Sequence, residues 1–74
     1  MIHHFPTTLE IVRIVRIYGA KRAAVESFLE GVDVTMPAQF HLRNLASDAQ
    51  EFGWKESTVR AIEAGIRLMY SSKP

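Results

Sequence analysis

Read for polarity alone, the chain repeats apolar positions at intervals of three and four, the spacing of one helix face. It does so in four stretches, punctuated by Gly19, Gly31 and Gly53. In the first stretch Ile11, Val12, Ile14, Val15 and Tyr18 cover a wide arc, and Arg13 and Arg16 lie together on the rest of the circumference. The β-branched content would also suit a strand. Strict alternation fails, however, because Ile11-Val12 and Ile14-Val15 are adjacent pairs with single arginines between them. Thr7 and Glu10 have the separation of a capping box, in which each side chain accepts from the other's backbone N–H, so a helix is predicted to start there.

The second stretch, 21–30, places Ala24, Val25, Phe28 and Leu29 on one face and sets Arg22 four residues before Glu26, with Gly31 available to close the helix in a left-handed turn. The third, 38–52, carries Leu42, Leu45, Ala49 and Phe52 as its apolar stripe. The fourth, 56–70, carries Val59, Ile62, Ile66 and Met69 or Tyr70, with Glu56–Arg60 and Glu63–Arg67 as pairs one turn apart. Gly65 inside that helix costs about 1 kcal/mol relative to Ala, which predicts close approach of another helix or chain there. Between the second and third stretches, Val32, Val34 and Met36 alternate with Asp33 and Thr35, as in a short strand over 32–36. Equally, Thr35 could cap the third helix with Pro37 in its first turn. The expected fold is all-α: one domain, 1–74, of about four short helices, with the first two packed across the apolar side of the last two.

Composition narrows the class. At 47% hydrophobic residues the chain is rich enough to fold, yet 74 residues bury a modest core, and pairing of two copies is a common route to extra stability. With no cysteine there are no disulfides, no thiolate zinc sites and no cysteine nucleophile. No apolar run approaches the ~18 residues that span a membrane. The opening MIHHFPTT does not read as a signal peptide, so a cytoplasmic protein is expected. His3 and His4 read as solvated terminal residues, with no third ligand nearby, and SSKP as a frayed tail. The net charge of +1 is unevenly spread. Arg13, Arg16, Lys21 and Arg22 lead the chain and Lys55, Arg60, Arg67 and Lys73 end it, whereas Glu26, Glu30, Asp33, Asp48 and Glu51 occupy the middle. A polyanion would meet the ends and avoid the centre.

One stretch bears on function. From Leu45 to Ile62 the chain reads LASDAQEFGWKESTVRAI, with Ala49 four residues before Gly53, apolar Phe52 and Trp54 flanking that glycine, and Thr58-Val59 following. A steep helix pair needs a small residue where the helices touch and a residue tolerant of positive φ in the turn, with Phe52, Trp54, Val59 and Ile62 to fill the wedge. This stretch resembles the helix-turn-helix DNA-binding superfamily, and Thr58-Val59 is similar to the Thr-Val pair of lactose-repressor-type units. The resemblance implies that the fourth segment is the recognition helix. Lys55, Ser57 and Thr58 would then meet phosphates and Arg60 a guanine edge, while Arg67, Lys21 and Arg22 add charge. The function so implied is a small transcriptional regulator of phage or plasmid type, binding duplex DNA as a homodimer.

Two other readings use the same residues. The broad arc of 9–18 could bury a protein partner, with Ile14 and Ile17 in the contact and Arg13 and Arg16 on its rim; the chain would then be an interaction module or inhibitor with no DNA role. Alternatively, a strand at 32–36 followed by two helices resembles a ribbon-helix-helix repressor, with Asp33 and Thr35 facing the groove. No enzyme is expected: His41 and Asp48 share a helix face, but neither neighbours a nucleophile, and His41 reads as a surface residue. No phosphate-binding Gly-rich loop, metal motif or cofactor signature is present.

Overall fold

Thr7 begins the first helix as its spacing predicts. Its hydroxyl accepts from the Glu10 N–H at 3.2 Å while the Glu10 carboxylate accepts from the Thr7 N–H at 2.8 Å. The computed structural model describes residues 5–71, so His3, His4 and the SSKP tail beyond Ser71 lie outside the described residues. Within them stand α1 (Thr8–Tyr18), α2 (Arg22–Glu30), α3 (Ala38–Phe52) and α4 (Glu56–Ser71), with no strand. The fold is the all-α bundle that the apolar periodicity predicts.

Helix α4 is the centre of the bundle, because α1, α2 and α3 each pack on it. Its length lets one apolar face run past three shorter neighbours, burying Ala61, Ile62, Ile66 and Met69. Ile11 and Ile14 from α1, Val25 and Leu29 from α2 and Leu45 from α3 are buried as well. Gly65 answers to a close approach, as its cost in a helix predicts. A Cβ there would lie 2.6 Å from Leu29 Cδ1, so α2 reaches α4 through the missing side chain. Both i,i+4 pairs at helix starts form, Arg22–Glu26 and Arg60–Glu56, each at 3.3 Å. Glu63 and Arg67 do not close to ion-pair distance.

The 31–37 connection departs from expectation. No strand forms at 32–36, because local bonds bend the chain. The Asp33 carboxylate accepts from the Thr35 N–H at 2.9 Å and its hydroxyl at 2.6 Å, and the Met36 N–H donates to the Asp33 carbonyl at 3.1 Å. These bonds, with the Thr35 hydroxyl foremost, hold the Asp33 carboxyl below the ordinary aspartate range. Thr35 is thereby spent on Asp33 and does not cap α3, whose N-cap is Pro37. Gly31 is not left-handed either, at φ −91°, ψ 1°. Its N–H and that of Val32 close i→i−3 bonds to Phe28 and Leu29 that tighten the end of α2 instead.

His41 and Tyr70 fasten this connection. His41 is buried, 3% exposed, and not the surface histidine its flanks suggest. Its Nε2 lies 3.1 Å from the Asp33 N and 2.9 Å from the Asp33 carbonyl oxygen. The Tyr70 hydroxyl donates to the carbonyls of Met36, at 2.6 Å, and Asp33, at 3.0 Å. Burial, and secondarily the Asp33 charge, push the Tyr70 hydroxyl pKa upward. A buried imidazole thus replaces the strand partner that 32–36 lacks.

Candidate nucleic-acid interface

The helix-turn-helix reading places its weight on the turn between α3 and α4. Gly53 adopts the left-handed conformation there, φ 67°, ψ 35°, and its N–H and that of Trp54 both reach the Ala49 carbonyl. The chain builds the same turn between α1 and α2. Gly19 has φ 69°, ψ 35°, and its N–H and that of Ala20 both reach the Val15 carbonyl. After each glycine come one residue and a lysine, Lys21 or Lys55, whose carbonyl accepts the first bonds of the next helix. The two turns meet in space. Gly19, Lys21, Gly53, Lys55, Ser57 and Thr58 line one pocket of about 290 Å³, walled by Phe52 and Trp54.

Four of the seven predicted DNA-contact residues are therefore gathered at one end: Lys21, Lys55, Ser57 and Thr58. The charge there is uncompensated among the described residues, since neither lysine is in an ion pair and both are exposed. Arg60 stands one turn further on, beside a separate hollow shared with Ile17, Tyr18 and Ser57. It is tied to Glu56, and Arg22 is tied to Glu26, so both cations are partly neutralised. Arg67 is exposed on the outer side of α4, two turns beyond Arg60 and away from the pocket. The outer stripe of α4 runs Glu56, Arg60, Glu63, Arg67, alternating in sign.

Two predicted contact residues are displaced by packing. Thr58 is not an exposed donor on the first turn: it is 5% exposed, because it falls on the face of α4 that carries Ile62 and Ile66 inward. Ile14 is not available to a partner either, at 9% exposed, since it turns with Ile11 into the core. Ile17 behaves as predicted for a contact residue, 74% exposed, with Arg13 and Arg16 exposed on the same side of α1. Phe52 does not fill the wedge between α3 and α4 but projects at 61% exposure, where it meets Trp54 with ring centroids 5.5 Å apart. Trp54 in turn touches Phe28 of α2 edge-on at 6.3 Å.

Sequence reasoning missed the share of the first turn in this site. The signal was present, because Tyr18-Gly19-Ala20-Lys21 and Phe52-Gly53-Trp54-Lys55 repeat aromatic, glycine, apolar, lysine. A second hollow lies between α2 and α3, lined in part by Phe28, His41, Asp48 and Trp54, and it carries no excess of cations. Among the described residues no helix is long and apolar enough to cross a membrane. Compared with protein-family models, curated proteins and solved structures, the chain matches none.

Proposed function

We propose that this protein is a small DNA-binding regulator that meets duplex DNA with the end where the two glycine turns converge. The observation that carries the reading is the convergence itself: Lys21 and Lys55, 34 positions apart in the chain, border one pocket with the start of α4. Backbone phosphate is the partner that a cluster of unpaired lysines, hydroxyls and a helix N-terminus suits. Arg60, on the adjacent exposed turn, would exchange its Glu56 partner for a base edge. A homodimer would present two such ends to half-sites about one helical turn apart.

Titrating labelled random-sequence duplex with the protein at several salt concentrations tests this. The expected result is binding in the micromolar range whose log affinity falls linearly with log salt. Lys55→Ala should weaken binding to every sequence alike, whereas Arg60→Ala should relax sequence choice. Absence of binding at low salt overturns the reading.

A second reading has its own support. Leu9 and Ile17 stand exposed on the side of α1 that carries Arg13 and Arg16, which suits an interaction module whose partner covers this helix. Ile17→Asp would abolish that complex and leave DNA affinity unchanged. The lysine convergence favours the regulator.

A further inference from the structure

Thr58 poses a question that packing leaves open. Its side chain is sheltered among core residues, yet among the described residues its hydroxyl has no hydrogen-bond partner. Buried hydroxyls almost always find a partner. Among the described residues no side-chain nitrogen or oxygen is sealed from solvent without one, so the Thr58 hydroxyl must open outward. Thr58 lines the pocket between the two turns.

The surroundings of that hydroxyl carry one sign. Among the described residues no side chain accepts from the start of α4, and the amides of Glu56 and Ser57 have no acceptor. Helix α2 also starts uncapped, at Lys21. Lys21 and Lys55 add two ammonium groups, and Ser57 lines the same pocket. The nearest helix-start carboxylates are held by cations of their own, Glu56 by Arg60 and Glu26 by Arg22. Gly19 and Gly53 leave room: among the described residues, no heavy atom beyond their own chain neighbours lies within 4 Å of where either Cβ would stand. The pocket, about 290 Å³, has room for a phosphate group.

We propose that this pocket is a binding site for a single phosphate group, with Thr58, Ser57 and the first amides of α4 donating to its oxygens and Lys21 and Lys55 balancing its charge. As the seat of a backbone phosphodiester it rests on the DNA reading; as a seat for a free phosphate it does not. Thr58 is the selective element, because its hydroxyl is fixed by packing, whereas both lysines are mobile point charges.

The test is an amide-resolved NMR titration of the whole chain with inorganic phosphate, against sodium chloride at matched ionic strength. Saturable shifts at Gly19, Gly53, Glu56, Ser57 and Thr58, absent with chloride, are expected. Thr58→Val, which keeps the shape and removes the hydroxyl, should weaken phosphate binding about tenfold, and Thr58→Ser should restore most of it. If the Thr58 variants melt, Lys55→Met on an exposed side chain takes their place and must weaken binding likewise. Shifts that chloride reproduces, or unchanged affinity in these variants, overturn the site. A parallel titration with a short duplex separates the two claims. Phosphate bound with no duplex bound leaves the site standing and ends the DNA reading. Duplex bound with no phosphate response at these amides does the reverse.

Discussion

The hairpins α1–α2 and α3–α4 use one turn and reach different ends. Each closes its first helix with a left-handed glycine, at φ 69° and 67°, and each launches its second from a lysine. The helices that follow are unlike: α2 has nine residues and α4 has sixteen. Only α4 packs on every other helix, so the second hairpin supplies the bundle's axis and the first leans on it. A turn of this kind is local chemistry, set by the glycine and by the carbonyl four residues before it. Which helix becomes the centre is set by packing against the other three. The helix-turn-helix likeness draws on the second turn alone, and since the chain builds that turn twice, its glycine does not single out α4. The residues after the lysine do: Ser57 and Thr58 follow Lys55 and Glu56, where Ala23 and Ala24 follow Lys21 and Arg22.

The strongest way to break this comparison is at the point where the two hairpins touch. Leu29→Ala removes the side chain that sits over Gly65 and should cost about 2–5 kcal/mol by urea unfolding, a large share of what so small a domain has. Gly65→Ala alone should destabilise by overpacking, about 1–3 kcal/mol. In the Leu29→Ala background the same change should stabilise by up to about 1 kcal/mol, because the cavity takes the methyl and the helix gains propensity. Equal effects in both backgrounds would mean that Gly65 does not serve this contact.

The equivalence of the turns is tested next. Gly19→Ala and Gly53→Ala should each cost about 1–2 kcal/mol in thermal or urea unfolding, since a Cβ meets no atom at either site and the strain is only that of the left-handed backbone. Values that differ widely would show that one turn carries tertiary strain the other lacks. Thr7→Ala should cost about 1 kcal/mol, by loss of the capping box that α1 has and the other helix starts lack. Removing the Lys21 side chain, which caps nothing, should leave the melting temperature almost unchanged.

The smallest effect concerns the link between the hairpins. Because bonds from Thr35 lower the folded-state pKa of Asp33, its contribution is complete above the ordinary aspartate range and is lost as pH falls through that lowered value. Melting temperature followed down the acid limb should fall less steeply in Asp33→Ala than in the parent protein. Identical acid limbs would show that the Asp33 turn does not report on the link.

Much of this was legible in the chain. Helix positions, the capping box, the Arg22–Glu26 and Glu56–Arg60 pairs and the close approach at Gly65 follow from periodicity and spacing, because each depends on residues within a turn or two of one another. Others were hidden. The burial of Thr58 and Ile14 depends on which side of a broad apolar arc faces inward, and only the packing of α1 and α4 chooses it. The alternation at 32–36 looked like a strand because alternation is necessary for one, but a strand also needs a partner edge, and here His41 and Tyr70 take the backbone groups instead.

For this protein, then, the sequence by itself determined where helices start, stop and turn, since caps, glycines and i,i+4 pairs act over a few residues at close range. Only the tertiary structure decided that α4 runs through the middle, that a histidine from the third helix is buried against the 31–37 connection, and that Lys21, Lys55 and Thr58 line one pocket. Those outcomes follow from burying four apolar faces at once, and no single segment contains the information about which neighbour its face will find.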